Sequence, residues 1–420
     1  MRRKESGVGP ARGGYCLVAL LLVLSVYTNP LWAGEVITAI SISGLKRTKL
    51  GVAEKPLKKF LGQEVDSLEV HEVHAAIMDT GILEPLSVEI ADLLDGEGKA
   101  LIIVVREKWA IFPLPVVFVG SGGMSVGGFF IDTNALGLND KFFAGGMYLG
   151  AGWMAGGGYM HTAIREGFPG WRVSGFFSQE ERHDTDQRDH DIRRFNLDSI
   201  TGSLGISYPF MEVLNGSLRF SYQEKILRDR DDPVEAPESG ARTLGIGAEF
   251  GVRKRHWDGY LLSQESASLG YTYQVGINSP AFHTFEAQGI YEKSLIPGFR
   301  LNLRTGMVYS PGVPPLFESS PAAAQVAILP GSFSAQHYAG ASLGIEKYLF
   351  KLPFGTLSAL ASYQLVYSHG PLLGDAFDHG VAGALSFYMS KLAIPALGLG
   401  IAYNLAARYV QGSFSLGMSF

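Results

Sequence analysis

From Trp109 onward, apolar and polar residues alternate along the chain. The last residues show the rule: Val410, Gly412, Phe414, Leu416, Met418 and Phe420 interleave with Gln411, Ser413, Ser415, Gly417 and Ser419. A period of two puts one set on each face of a β-strand. One face is then apolar and aromatic, the other small and polar. Leu244, Ile246, Ala248, Phe250 and Val252 oppose Gly245, Gly247, Glu249 and Gly251 in the same way, and Leu397, Leu399, Ile401, Tyr403 and Leu405 oppose Gly398, Gly400, Ala402 and Asn404. The pattern predicts about sixteen strands, near 111–120, 124–132, 141–151, 153–164, 171–182, 195–208, 214–227, 241–254, 259–275, 282–293, 299–309, 336–349, 354–367, 377–389, 396–405 and 409–420. The connections at 183–194, 228–240, 310–335 and 368–376 are long, and each follows an odd-numbered strand. Phe210–Val213, Arg255–Asp258 and Lys351–Pro353 are short and fall between them. Long loops at one end, short turns at the other and an even strand count predict a transmembrane β-barrel.

The segment before it has another rhythm. Val36, Thr38, Ile40 and Ile42 alternate up to Gly44, predicting a strand and its turn. A helix is expected near Val52–Leu61 despite Pro56, closed by Gly62, and a second one capped by Asp66 or Ser67. Val70, Val73 and Ile77 give that second helix an apolar face until Gly81. Leu86, Val88 and Ile90 alternate, Asp95–Gly98 makes a turn, and Leu101–Val105 is a buried strand. The predicted order over 34–108 is β-α-α-β-β. Residues 1–33 read as a secretory signal: Arg2, Arg3, Lys4 and Arg12 precede or flank the apolar Leu17–Val26, Asn29-Pro30 breaks it, and Ala33 offers a cleavage point. Arg2-Arg3 lacks the apolar residues of a twin-arginine signal, and Cys16 precedes the apolar core, where a lipoprotein cysteine would not lie.

Composition sharpens the membrane reading. The chain has 420 residues, 46% hydrophobic and 18% charged, with 53 Gly and one Cys. Beyond the N-terminal region no apolar run reaches the ~20 residues of a membrane helix, so a spanning chain must close as a barrel. A net charge of −5 gives no footprint for nucleic acid. The single Cys16 lies upstream of the expected cleavage, so a mature chain free of thiols and disulfides is expected.

Little in the sequence promises chemistry. Arg219, Glu249, Arg304 and Glu346 fall on the inward face, where their mixed signs suit hydration or cross-bracing of the lumen better than a selective ring. The run from Arg182-His183-Asp184 to Asp189-His190-Asp191, and Arg228–Asp232, read as solvated loops rather than calcium or lipopolysaccharide-bridging sites. His71 and His74 are one residue too close for a His-Glu-x-x-His zinc helix and are expected to face solvent. Ser368-His369 has no orienting acid, and no Gly-x-Ser-x-Gly elbow occurs. No catalytic residue, metal or cofactor is expected, and the chain is read as a non-enzyme.

The element order, Ile42-Ser43-Gly44 before the first helix, Thr80-Gly81-Ile82-Leu83 after the second and Arg106-Glu107-Lys108 at the end resemble a POTRA (polypeptide-transport-associated) domain. With a barrel over 109–420, the whole resembles the BamA/TamA family of outer-membrane assembly factors, of bacterial surface antigen type. The resemblance implies the outer membrane of a Gram-negative-type bacterium, with the POTRA domain in the periplasm. It implies unfolded outer-membrane or secreted polypeptides as clients, taken up by β-augmentation and templated at a weak barrel seam. Outer-membrane lipid, lipopolysaccharide and periplasmic chaperones are the other partners it implies, and a passive or structural barrel is the alternative. In the family's sixth extracellular loop a Val/Ile-Arg-Gly-Phe arginine pairs with the acid of an Asp-x-Gly on the wall. Here the loop reads Leu329-Pro330-Gly331-Ser332-Phe333 and the wall Ser368-His369-Gly370, so both halves are missing and a loosely anchored loop is expected. The expected seam joins a first strand holding Pro113 and Pro115 to a last strand holding Gly412, whose Phe414, Met418 and Phe420 complete a C-terminal signal.

Overall fold

The computed structural model describes residues 35–93, 98–120, 123–149, 152–161, 168–211, 213–228, 234–258, 261–319, 325–353, 355–389 and 396–417. The expected signal segment with Cys16, the turn at 95–97, Met418 and Phe420 lie outside them.

In the N-terminal part, β1 (Ile37–Ser43) runs parallel to β3 (Lys99–Glu107), and β2 (Leu83–Asp92) pairs antiparallel on the other side, giving the order β1-β3-β2. The first predicted helix starts as α1 (Leu50–Glu54) and tightens into a 3₁₀ turn at Lys55–Phe60. Pro56 explains the change: it has no N–H to give and is tolerated only in a first turn. The second begins later than expected. A 3₁₀ turn covers Val65–Ser67, and α2 (Val70–Met78) follows with no side-chain cap. Ile37, Leu57, Phe60, Val73, Ile77, Leu101 and Ile103 close one core between helices and sheet. His71 is exposed beside Glu69 (3.1 Å). His74, expected in solvent, is half-buried.

Sixteen strands follow: β4 (Ile111–Gly120), β5 (Gly123–Ala135), β6 (Asp140–Leu149), β7 (Trp153–His161), β8 (Gly170–Thr185), β9 (Asp191–Pro209), β10 (Leu214–Arg228), β11 (Ala241–Asp258), β12 (Leu261–Gly276), β13 (Phe282–Ile296), β14 (Phe299–Tyr309), β15 (His337–Leu352), β16 (Gly355–Gly370), β17 (Gly374–Met389), β18 (Ala396–Asn404) and β19 (Tyr409–Gly417). Each bonds its sequence neighbours in one antiparallel sheet. The outward row stays apolar where a soluble protein would cover it: Leu269 is 68% exposed, Leu399 65% and Ile401 61%. Such a continuous apolar face fits lipid. No helix among the described residues is long and apolar enough to cross a membrane.

Strands outrun the pattern at the end opposite the α/β domain. β8 and β9 reach Thr185 and Asp191, and β16 and β17 meet across 371–373, so the loops expected at 183–194 and 368–376 shrink. Beyond the lipid both faces of a strand are wet, and a ladder continues there without alternation. Arg255–Asp258, expected as a turn, is the end of β11. Pro113 and Pro115 lie opposite Phe130 and Gly128 in an unbroken β4–β5 ladder, so the start of β4 does pair with β5. Alternate residues of an antiparallel strand bond opposite neighbours. The two prolines therefore turn their missing donors toward the other edge of β4. The side chains of 116–125 and 413–420 lie outside the described residues, Phe414 among them; the Phe414 backbone pairs with Leu399.

Candidate functional site

The long connection between β14 and β15 turns into the lumen. Gly312 (φ 67°) and Pro314-Pro315 set its first limb, ending in a 3₁₀ turn at Pro315–Phe317. Its second limb is apolar: Ile328, Leu329, Phe333 and Ala335 pack on Val308, Tyr338, Val366 and Ala402, inward residues of β14, β15, β16 and β18. The first limb meets a different arc, with Leu316 against Phe195 and Leu197 of β9 and Ala241 of β11. The loop thus spans the lumen. Its limbs are joined by Ser319 and Ala335 (N–H to O 3.2 and 3.3 Å) and by the buried Tyr338 hydroxyl, which donates to the Ser319 carbonyl and accepts from the Ala335 N–H (2.9 Å).

Pro330 opens a tight turn in which the Phe333 N–H reaches the Pro330 carbonyl (3.0 Å), with Gly331 exposed and Leu329 and Phe333 buried. Ser368 is fully buried on the lumen side of β16, while His369, on the opposite face, bonds Asp375 (2.9 Å). Adjacent strand residues point apart, so this pair cannot converge on a substrate.

The expectation of a loosely anchored loop is corrected by a buried ionic cluster elsewhere. Arg182 and Asp184 on β8 and Arg193 on β9 face inward, with Asp184 directly opposite Arg193. Arg193 pairs with Glu318 of the loop through both guanidinium nitrogens and with Asp184 at 3.3 Å; its side chain is 4% exposed, those of Asp184 and Glu318 3% and 2%. Arg182 donates to Asp184 (2.8 Å) and to the Leu316 carbonyl (2.9 Å), and lies over the Phe195 ring. Arg182 and Asp184, read from sequence as part of a solvated charge run, are therefore interior, while Arg188, His190 and Asp191 of the same run are exposed. The available signal was parity, since Arg182 and Asp184 share register with the inward Ser174 and Phe176.

A second network sits at the end of the lumen nearer the α/β domain. Glu346 accepts from Arg300 Nε (3.0 Å), from the Tyr388 hydroxyl (2.7 Å) and from Ser358. Glu292 takes Arg304 (2.7 Å), Asn302 (3.2 Å) and Arg300 (3.3 Å). Two of the four expected lumen charges, Arg304 and Glu346, are thus brought together through Arg300 and Glu292, which sequence reasoning missed. Arg219 and Glu249 stand outside that network, Arg219 between the glycines Gly205 and Gly247 of the neighbouring strands.

The α/β domain is fastened to the β5–β6 turn. Arg47 grips Asp132 with two bonds (3.0 and 2.5 Å), Asn134 donates to Thr48 (2.9 Å), Asn139 to the Thr80 carbonyl (3.2 Å), and the Lys49 N–H to the Gly137 carbonyl (2.9 Å). Glu107 holds the loop that presents Arg47, accepting from the N–H groups of Lys46 (2.9 Å), Arg47 (3.0 Å) and Thr48 (2.7 Å). Burial pushes the Glu107 carboxyl up, but these donors outweigh it and hold it below the usual range. Among the described residues no group of His, Cys, Asp and Glu is placed to hold a metal.

No family model matches the sequence, and no curated protein matches it either. Solved structures do. BamA from Haemophilus ducreyi lacking POTRA domains 1-3 aligns with a TM-score of 0.52 at 13% identity, over 91% of this chain and 85% of that one. CdiB from Acinetobacter baumannii gives 0.57 at 13% identity over 91% and 73%, and CdiB from Escherichia coli 0.60 at 14% over 91% and 74%. Identities this low speak of fold alone: the chain is a sixteen-stranded barrel with a small N-terminal α/β region, built like those of BamA and CdiB.

Proposed function

We propose that this chain assembles proteins into an outer membrane or passes polypeptides across it, as a single-POTRA relative of the BamA/TamA assembly factors. The observation that carries the reading is a three-stranded α/β sheet, whose outer strand β2 has one edge unoccupied in the sheet order, bonded to the rim of a BamA- and CdiB-like barrel. In this reading the α/β end is periplasmic and the β14–β15 loop extracellular. Unfolded outer-membrane or secreted polypeptides add to β2, where Leu86 is 54% exposed, by β-augmentation. The β4–β19 seam then templates their strands. Outer-membrane lipid and lipopolysaccharide contact the apolar outer face, and periplasmic chaperones deliver clients. No enzymatic step or cofactor is involved.

A passive pore is the weaker reading, because the loop crossing the lumen is packed on both arcs of the wall. Depletion of the protein followed by outer-membrane proteomics tests the proposal: a defined set of barrel or secreted proteins should fall. An unchanged proteome overturns it. Cysteines near Val117 and Gly412, scanned in register, test the seam. Oxidation should stop assembly and reduction restore it; a locked protein that still assembles clients removes lateral opening.

A further inference from the structure

We infer that Arg193 and Glu318 are the positioning residues that seat the luminal loop, an anchor whose charges run opposite to the arginine-on-loop, acid-on-wall pair that the family resemblance implies. The inference goes beyond the proposed function and needs no assumption about what the barrel carries.

Four charged groups meet at this point. Arg182, Asp184 and Arg193 belong to the wall and Glu318 to the loop, so two cations face two anions and the buried cluster is neutral. Remove the loop carboxylate and the wall keeps two arginines against one aspartate in a water-poor pocket. An uncompensated buried charge is strongly unfavourable, so the wall as built requires an acid from the loop. Pro330 supplies none, and the acid comes from Glu318 instead.

The local structure makes Glu318 an effective handle. It directly follows the 3₁₀ turn at Pro315–Phe317, whose Leu316 carbonyl is held by Arg182 (2.9 Å). Ser319, the next residue, is laddered to Ala335 on the returning limb. Fixing Glu318 therefore fixes both limbs. Ile328, Leu329 and Phe333 add burial, but apolar contact is non-directional and sets no register by itself. A two-toothed guanidinium–carboxylate contact does.

The test reads loop position directly. Ser334 is 4% exposed and lies beside Arg182, so a Ser334→Cys thiol in a Cys16→Ser background reacts with a maleimide only when the loop leaves the wall. The full-length protein is folded in detergent, and gel mobility without boiling confirms an intact barrel. Glu318→Arg leaves three cations against one anion, and Arg193→Glu the converse. Each should speed labelling at least about tenfold. The double reversal R193E/E318R restores neutrality and should return labelling to the parental rate. Parental rates in both single variants, or a double variant as fast as either, overturn the inference. If a reversal prevents folding, Glu318→Gln keeps the volume and must still label faster than the parent. An unchanged rate there overturns the inference as well.

Discussion

The sharpest energetic prediction concerns Glu346. Its carboxylate is 4% exposed, faces an Arg300 side chain that is 5% exposed, and also takes the hydroxyls of Tyr388 and Ser358. Glu346→Leu leaves a buried guanidinium with Glu292 at 3.3 Å and removes an acceptor from two hydroxyls. Breaking a buried pair from one side costs about 3–5 kcal/mol, and Glu292 places this case at the low end, near ~3 kcal/mol. In Arg300→Met/Glu346→Leu both charges go, and Glu292 keeps Arg304 (2.7 Å) and Asn302 (3.2 Å). What remains is the Tyr388 hydroxyl without its bonds and the Ser358 hydroxyl with only the Ser386 carbonyl at 3.4 Å, together about 1–2 kcal/mol. The double variant should therefore be more stable than the single one. Urea unfolding in lipid vesicles, followed by tryptophan fluorescence, measures both. A single variant that costs under ~1 kcal/mol, or a double that costs as much as the single, refutes the reasoning.

Other outcomes follow from the junction. Arg47→Ala removes a two-bonded contact whose arginine is 36% exposed, so solvent discounts it to about 1 kcal/mol; spin labels at Glu72 and Phe210 should show a broadened distance distribution, and an unchanged one contradicts the clamp. Gly137→Ala should act more strongly, because an added Cβ would lie 2.2 Å from the Arg47 carbonyl at a φ of 72°, a strain of about 1–3 kcal/mol seen in the same distance measurement. Glu107 titrates lower folded than unfolded, so its contribution is complete above the unfolded value of about 4.3 and is lost as pH falls through the lowered one; acid unfolding of the α/β domain should therefore become shallower in Glu107→Gln, and identical curves would deny Glu107 this role.

The barrel was legible because lipid imposes a strict rule on every outward residue, and Leu399, Ile401 and Leu269 obey it plainly. The helical segments were legible in number but not in extent: Pro56 tightens the first into a 3₁₀ turn, and the uncapped start at Val70 depends on packing more than on local preference. The ionic anchor was not legible. Arg193 and Glu318 lie 125 residues apart, and only the passage of the loop across the lumen brings them together. Arg182 and Asp184 keep the inward parity of Ser174 and Phe176, but they sit past the apolar stretch of β8, where nothing in the pattern shows that the strand continues. Pro330 and Ser368 told only that the family's pair is not to be expected, and such a gap does not reveal which residues hold the loop instead.

The clamp at the β5–β6 turn has a mechanical consequence. Lys49 and Gly137 join backbone to backbone, and Arg47 locks onto Asp132 at the foot of β5. Torque on the α/β domain is therefore delivered first to this hairpin, with α2 resting on β11 as a second point of contact. β5 is laddered along its length to β4, the strand whose outer edge carries Pro113 and Pro115. The domain works as a short lever, with its fulcrum one strand away from the edge of β4 where Pro113 and Pro115 each leave out a donor.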